Sequence, residues 1–175
     1  PKKIVAIICH EIISDYYVEF VERLRKQIED SGNIALVASD DFSTSKQGEL
    51  IDYFSSYLKV DGIIVFNLRT RLKKNYDTPI ISLFSSIDDQ VDSINIDFFS
   101  ALNDAVSLLW QYGHRNIAFF GEKLTNETAC EFKNSISKLG CNNITVIESD
   151  KRFEEAGKDA VDKLLALTTD CTAII

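Results

Sequence analysis

The chain has 175 residues, 45% hydrophobic and 26% charged, and its 27 acidic against 19 basic side chains leave a formal charge of −8. That is enough for one ample core or two small ones, and so acidic a surface argues against gripping DNA or anionic lipid through long-range charge. No apolar run approaches the roughly 20 residues that cross a bilayer, and Lys2-Lys3 leads straight into a strand-length run, not a signal peptide.

In chain order the pattern alternates between continuous apolar runs and helical spacing. Ile4 to Cys9 predicts a strand; Tyr17, Phe20, Val21, Leu24 and Ile28 predict a helix, with Ser14 or Asp15 as N-cap and Gly32 just past its end. Ile34 to Ala38 predicts a second strand. Thr44 with Gln47 has the spacing of a capping box, and Leu50, Phe54 and Leu58 give the second helix its stripe. After the Asp61-Gly62 turn, Ile63 to Phe66 predicts a third strand. The stretch from Asn67 to Thr78 has room for at most a short irregular helix, and its Arg69, Arg71, Lys73 and Lys74 read as a solvated basic loop, with a phosphate or partner contact as the lesser alternative. Pro79 opens a strand over Ile80 to Phe84, and Ser93 to Ile96 follows as another.

Asp97 can cap a helix whose apolar residues are Phe98, Leu102, Ala105, Val106, Leu109 and Tyr112. Gly113 stops it, and Ile117 to Phe120 is a core strand. Ala129, Phe132, Ile136 and Leu139 predict a helix ended by Gly140, and Ile144 to Ile147 a strand. Phe153, Ala160, Val161, Leu164 and Leu167 predict a last helix before Thr172 to Ile175. Such alternation implies parallel sheets covered on both faces. The expected division is an N-terminal α/β subdomain, 1–96, and a C-terminal one, 97–175, whose sheet of about three strands looks incomplete. The chain starts at Pro1 and has no Met, so it reads as a processed, excised or incompletely represented polypeptide.

The expected chemistry is binding rather than catalysis. The first loop of the parallel sheet, His10 to Tyr17, has no glycine for a dinucleotide pyrophosphate to approach. Asp40-Asp41 stands where a ribose carboxylate would be, but reads as a cap at the start of the next helix. His10 beside Glu11 lacks a nucleophile and reads as solvated or capping. His114 is expected to hydrogen-bond backbone in its turn, and Asp88-Asp89 and Glu154-Glu155 to be solvated faces. Cys9, Cys130, Cys141 and Cys171 are expected to be small buried hydrophobes in a reducing compartment, since they lack the clustering that zinc needs. No catalytic residue, metal or cofactor is expected. Aromatic faces at a cleft stack on sugars or bases. Tyr16, off the apolar stripe, is therefore the leading ligand candidate, and Tyr17 fits the core as well.

Three stretches carry a resemblance to the effector-binding domain of lactose-repressor (LacI-type) transcription regulators. They are Ile4-Val5-Ala6-Ile7-Ile8 with Ser14-Asp15-Tyr16-Tyr17, Val60-Asp61-Gly62-Ile63-Ile64-Val65, and Gly113-His114-Arg115-Asn116-Ile117-Ala118-Phe119-Phe120-Gly121. The resemblance implies two doubly wound α/β subdomains of the type I periplasmic-binding-protein kind, with a ligand cleft between them and the C-terminal part missing. It also implies a cytoplasmic homodimer that senses a small molecule such as a sugar. DNA would be reached only through a helix-turn-helix domain outside this chain, and the membrane not at all. The ligand-binding residues carried over are Ser14, Asp15, Tyr16, Tyr17, Thr128 and Phe153, with Thr128 standing where relatives have an arginine. A solute-binding protein for sugar transport is the alternative on the same fold.

Overall fold

The computed structural model describes residues 1–122, 126–140, 145–167 and 170–175, and of residues 126–128 the backbone only. The chain divides into two compact units, Pro1–Ile96 and Asp97–Ile175.

In the first unit β1 (Ile4–Cys9), α1 (Asp15–Asp30), β2 (Ile34–Ser39), α2 (Thr44–Asp52), β3 (Gly62–Leu68), β4 (Ile80–Ser86) and β5 (Asp92–Asn95) follow in sequence. The strands form one parallel sheet in the order β2-β1-β3-β4-β5. Alternate side chains of β1 enter opposite cores, as the two-residue period of a strand requires. Ala6 and Ile8 pack with Ile51, Phe54, Ile63 and Val65, while Ile7 and Cys9 pack with Val21, Phe66 and Leu83. Helices therefore cover both faces, which is why the inner strands are apolar without alternation.

Two local details differ from the spacing. Ser43, not Thr44, caps α2, its Oγ accepting from the Lys46 N–H at 3.2 Å. Beyond Asp52 the helix widens into a π turn, Tyr53–Tyr57, which changes the angular step between residues. Ile51 and Phe54 are buried, and Leu58, beyond the π turn, faces out, 41% exposed. Between β3 and β4 the basic segment forms no helix. Its Leu72 N–H donates to the buried Asp88 carboxylate at 2.8 Å.

The second unit comprises α3 (Phe98–Gln111), β6 (Ile117–Glu122), α4 (Asn126–Lys138), β7 (Thr145–Ser149), α5 (Phe153–Ala166) and β8 (Ala173–Ile174). Its described strands form a parallel sheet in the order β7-β6-β8. Asp97 caps α3 by accepting from the Ser100 N–H at 2.9 Å. Gly113, at φ +91, takes the left-handed turn that ends it, a conformation glycine adopts without a Cβ penalty. The core joins Leu102, Val106, Ile117, Phe119, Phe132 and Ile136, with the Phe119 and Phe132 rings stacked at 5.2 Å. Gly121 leaves a notch beside Phe119, because a Cβ there would lie 2.6 Å from the ring's Cε1. On α5 the buried residues are Ala156 and Ala160, whereas Phe153 and Val161 are exposed, so small side chains rather than the expected large ones meet the sheet.

Candidate ligand-binding site

In a parallel sheet the loops at the carboxyl ends of the strands are where ligands are held. Strained backbone gathers at that edge of the first unit. Asp41 (φ +52) and Phe42 (φ +58) lie between β2 and α2, and Phe84 (φ +77) lies within β4. Asn67 (φ +46) sits where the β3–β4 register shifts. Left-handed conformations cost energy for residues with a Cβ and persist where their surroundings hold them.

Beneath these loops lies a buried polar network. Cys9 pairs with Ser39 in register, so the next residues, His10 and Asp40, emerge side by side. Both are buried, at 2% and 0% exposure. His10 Nδ1 lies 3.0 Å from Asp40 Oδ1. Asn67 Nδ2 lies 3.2 Å from His10 Nε2, and Asn67 Oδ1 accepts from Ser85 Oγ at 3.1 Å. With the Asn67 amide so oriented, Nε2 is an acceptor and the His10 proton is on Nδ1, donated to Asp40. Gln47, fully buried on α2, donates to Asp40 Oδ2 at 2.8 Å and accepts from the Arg69 N–H at 2.8 Å. The Phe42 N–H donates to Asp40 Oδ1 at 2.9 Å, and the Phe42 ring stacks on His10 at 4.8 Å. His10 thus orients its neighbours. Covered on one face and bonded at both nitrogens, it presents no free nitrogen to a substrate.

His10 is therefore neither solvated nor a cap, and Asp40 is a buried acceptor rather than a cap on α2. Asp88 is likewise not a solvated face. It accepts from the Leu72 and Gln90 N–H groups at 2.8 and 3.1 Å, and these bonds hold its carboxyl below the usual carboxylate range. His114 bonds a hydroxyl, Thr172 Oγ1 at 2.9 Å, instead of backbone. Cys9 is buried, and desolvation pushes its thiol up to about 11, but Cys130 is exposed; Cys141 lies outside the described residues. The signal that sequence reasoning missed was the equal spacing that sets His10 against Asp40 across two parallel strands.

The ligand candidates divide between the units. Ser14 caps α1, its Oγ accepting from the Tyr17 N–H at 3.4 Å, and Asp15 is exposed beside it. Tyr16 is 51% exposed, with its ring 5.4 Å from Tyr17 and 6.2 Å from Phe84, and partial burial raises its phenol above the ordinary value. Tyr17 is half-buried, 5.9 Å from Phe66 and 6.0 Å from His10. Ser14, Asp15, Tyr16 and Tyr17 therefore stand together at the start of α1, near the polar network. In the second unit Thr128 falls in the first turn of α4, with its side chain outside the described residues. Phe153 (φ +52) opens α5, 47% exposed, and its N–H donates to Glu122 Oε1 at 2.9 Å. Arg152 also bonds Glu122, Nε to Oε2 at 2.5 Å, and its guanidinium lies over the Phe153 ring at 4.6 Å. Phe153, Phe119, Gly121 and Ala156 help line an open cavity of about 320 Å³.

Among the described residues no group of three or more His, Cys, Asp or Glu could hold a metal ion, and no helix is long and apolar enough to cross a membrane. No family model matches the chain. Among curated proteins, catabolite control protein A of Priestia megaterium is 26% identical over 187 residues, covering 97% of this chain and 54% of that protein. One similar solved structure is a periplasmic binding protein/LacI transcriptional regulator from Alkaliphilus metalliredigens complexed with D-xylulofuranose. It is 18% identical with a TM-score of 0.74, over 88% of this chain and 59% of the other. Another is the Cra transcriptional dual regulator from Pseudomonas putida in complex with fructose 1-phosphate, 17% identical with a TM-score of 0.78, over 99% of this chain and 68% of the other.

The fold is that of a LacI-type effector-binding domain. It is the type I periplasmic-binding-protein architecture, and the sequence similarity to catabolite control protein A runs along 97% of this chain. The chain spans about half the length of the curated relative it matches.

Proposed function

We propose that this chain is the effector-sensing part of a LacI-type transcriptional regulator, which binds a small molecule at the carboxyl edge of its first sheet. The observation that carries this reading is the carboxyl edge of the first sheet. There the half-exposed Tyr16 packs on Tyr17, whose ring lies 6.0 Å from the buried His10 of the His10–Asp40–Asn67 network, within loops of strained backbone. Relatives whose names describe transcription regulators support it, as do sugar-type molecules bound in structures of the same fold. Tyr16 and Phe153 would offer aromatic faces to a ring, Ser14, Asp15 and Thr128 polar groups, and Tyr17 a wall that is also core.

The mechanism is binding without turnover. A ligand shifts an equilibrium only by its differential affinity for two states. A small molecule that binds one arrangement of the protein more tightly favours that arrangement. In a cytoplasmic homodimer that preference would be coupled to DNA affinity through a helix-turn-helix elsewhere in the protein, reciprocally by linkage. Calorimetry on the full-length protein with pentoses, hexoses and their phosphates tests the reading, alongside operator binding with and without each. Binding abolished by Tyr16→Ala, with a matching change in operator affinity, supports it. Effector binding that leaves operator affinity unchanged refutes the coupling.

A further inference from the structure

At the carboxyl edge of β3 stands a cation whose buried side-chain nitrogens find no hydrogen-bonding partner among the described residues. The Arg69 guanidinium leaves two buried nitrogens, Nε and Nη2, without any hydrogen bond. Its nearest carboxylate oxygen is Asp40 Oδ1, at 3.9 Å, which is an ion pair without hydrogen-bond contact. Asp40 cannot serve it better, because its oxygens already accept from His10, Gln47 and the Phe42 N–H. Asp41, the next carboxylate along, is engaged by Ser39 and Lys46. What supports the guanidinium is the Phe42 ring, 5.6 Å from its centre.

The backbone that carries Arg69 is fixed, in contrast. Its own N–H donates to the buried Gln47 at 2.8 Å, and three residues on the Leu72 N–H donates to Asp88 at 2.8 Å. A cation on a pinned loop, held by stacking and long-range charge, can turn about its side-chain torsions without breaking a hydrogen bond. Meeting an oxyanion would give it the bidentate pairing that guanidinium geometry suits. Its side chain is 29% exposed, so it has a way out to solvent at the carboxyl edge of the sheet.

We infer that Arg69 binds an anionic group, phosphate or carboxylate, carried by the small molecule that this edge recognises. The inference rests on the effector-site reading and adds the charge class of the ligand and the residue that reads it. It also separates Arg69 from Arg71, Lys73 and Lys74, which are exposed.

The test is calorimetry with the full-length protein and three groups of probes: glucose and fructose; glucose 6-phosphate and fructose 1-phosphate; and gluconate. The wild type is compared with Arg69→Gln, Arg69→Lys and Tyr16→Ala. At least one phosphorylated or acidic probe should bind 10-fold or more tightly than its neutral parent, and whether phosphates or gluconate gain tells the two anions apart. Arg69→Gln should erase that advantage, and Arg69→Lys should keep part of it. The melting temperature of Arg69→Gln without ligand should fall only modestly, since Asp40 keeps its hydrogen bonds and loses an ion pair at 3.9 Å, and Arg69→Lys, which keeps the charge, should fall less. A neutral sugar bound as tightly as its phosphate and lost only in Tyr16→Ala overturns the inference and leaves the effector site standing. An anionic probe whose affinity is unchanged in Arg69→Gln also overturns it. No binding by any probe, with Tyr16→Ala silent throughout, removes the effector-site reading and this inference together.

Discussion

The carboxyl edges of the two sheets are built differently. In the first unit the edge is organised from below: His10, Asp40 and Gln47 are buried and bonded to one another, and they fix the loops above. In the second the edge is organised from the rim, where Glu122, 23% exposed, clips Arg152 and the Phe153 N–H over a core of apolar and small residues. Buried polar groups are costly when left unpaired and orienting when satisfied. The first edge is thus preset by its interior, and the second is adjustable at its surface.

That contrast can be broken by mutation. The largest effect is expected from Asp40→Ala, which leaves the His10 Nδ1–H without its acceptor, takes from Gln47 Nε2 the closest of its three acceptors and leaves Arg69 without its counter-charge. It should cost about 3 kcal/mol in urea denaturation followed by circular dichroism. Glu122→Ala should cost about 1.5 kcal/mol, the scale of hydrogen bonds to a charged group, read by the fluorescence of Trp110 in the second unit. Equal losses from the two substitutions would erase the distinction between edges.

Asp88→Asn sharpens it through pH. Its folded-state value is depressed by the Leu72 and Gln90 N–H groups, so its stabilisation is present above the ordinary carboxylate value and fades as pH falls through the lower, folded one. The variant should therefore show a shallower loss of stability on acidification below about pH 4; an unchanged acid limb would remove Asp88 from the account. The smallest stability effect belongs to Tyr16→Ala, within about 0.5 kcal/mol as for an exposed position, together with loss of ligand. A large drop in melting temperature would make Tyr16 core.

The order of strands and helices was legible because apolar runs and helical spacing report burial, and burial on both faces of a parallel sheet leaves runs such as Ile4 to Cys9 unbroken. The π turn was not legible, since Tyr53-Phe54-Ser55-Ser56-Tyr57 keeps a helical pattern while its backbone changes step. Nor was the polar network. His10 and Asp40 are 30 residues apart, and only the β1–β2 register brings them together. Arg69 looked like any member of a basic loop, because solvation of a guanidinium depends on neighbours that Gln47 and Asp88 set in place. Tyr16 lies off the apolar stripe, as its spacing predicts: the first turn of α1 leaves it half-exposed while Tyr17 packs toward Phe66.

The notch at Gly121 makes two positions behave as one unit of inheritance. With a ring edge where a methyl group would go, a library that randomises Gly121 alone should return glycine. One that also allows leucine at Phe119 should admit alanine, so that each substitution is harmful singly and tolerated in company.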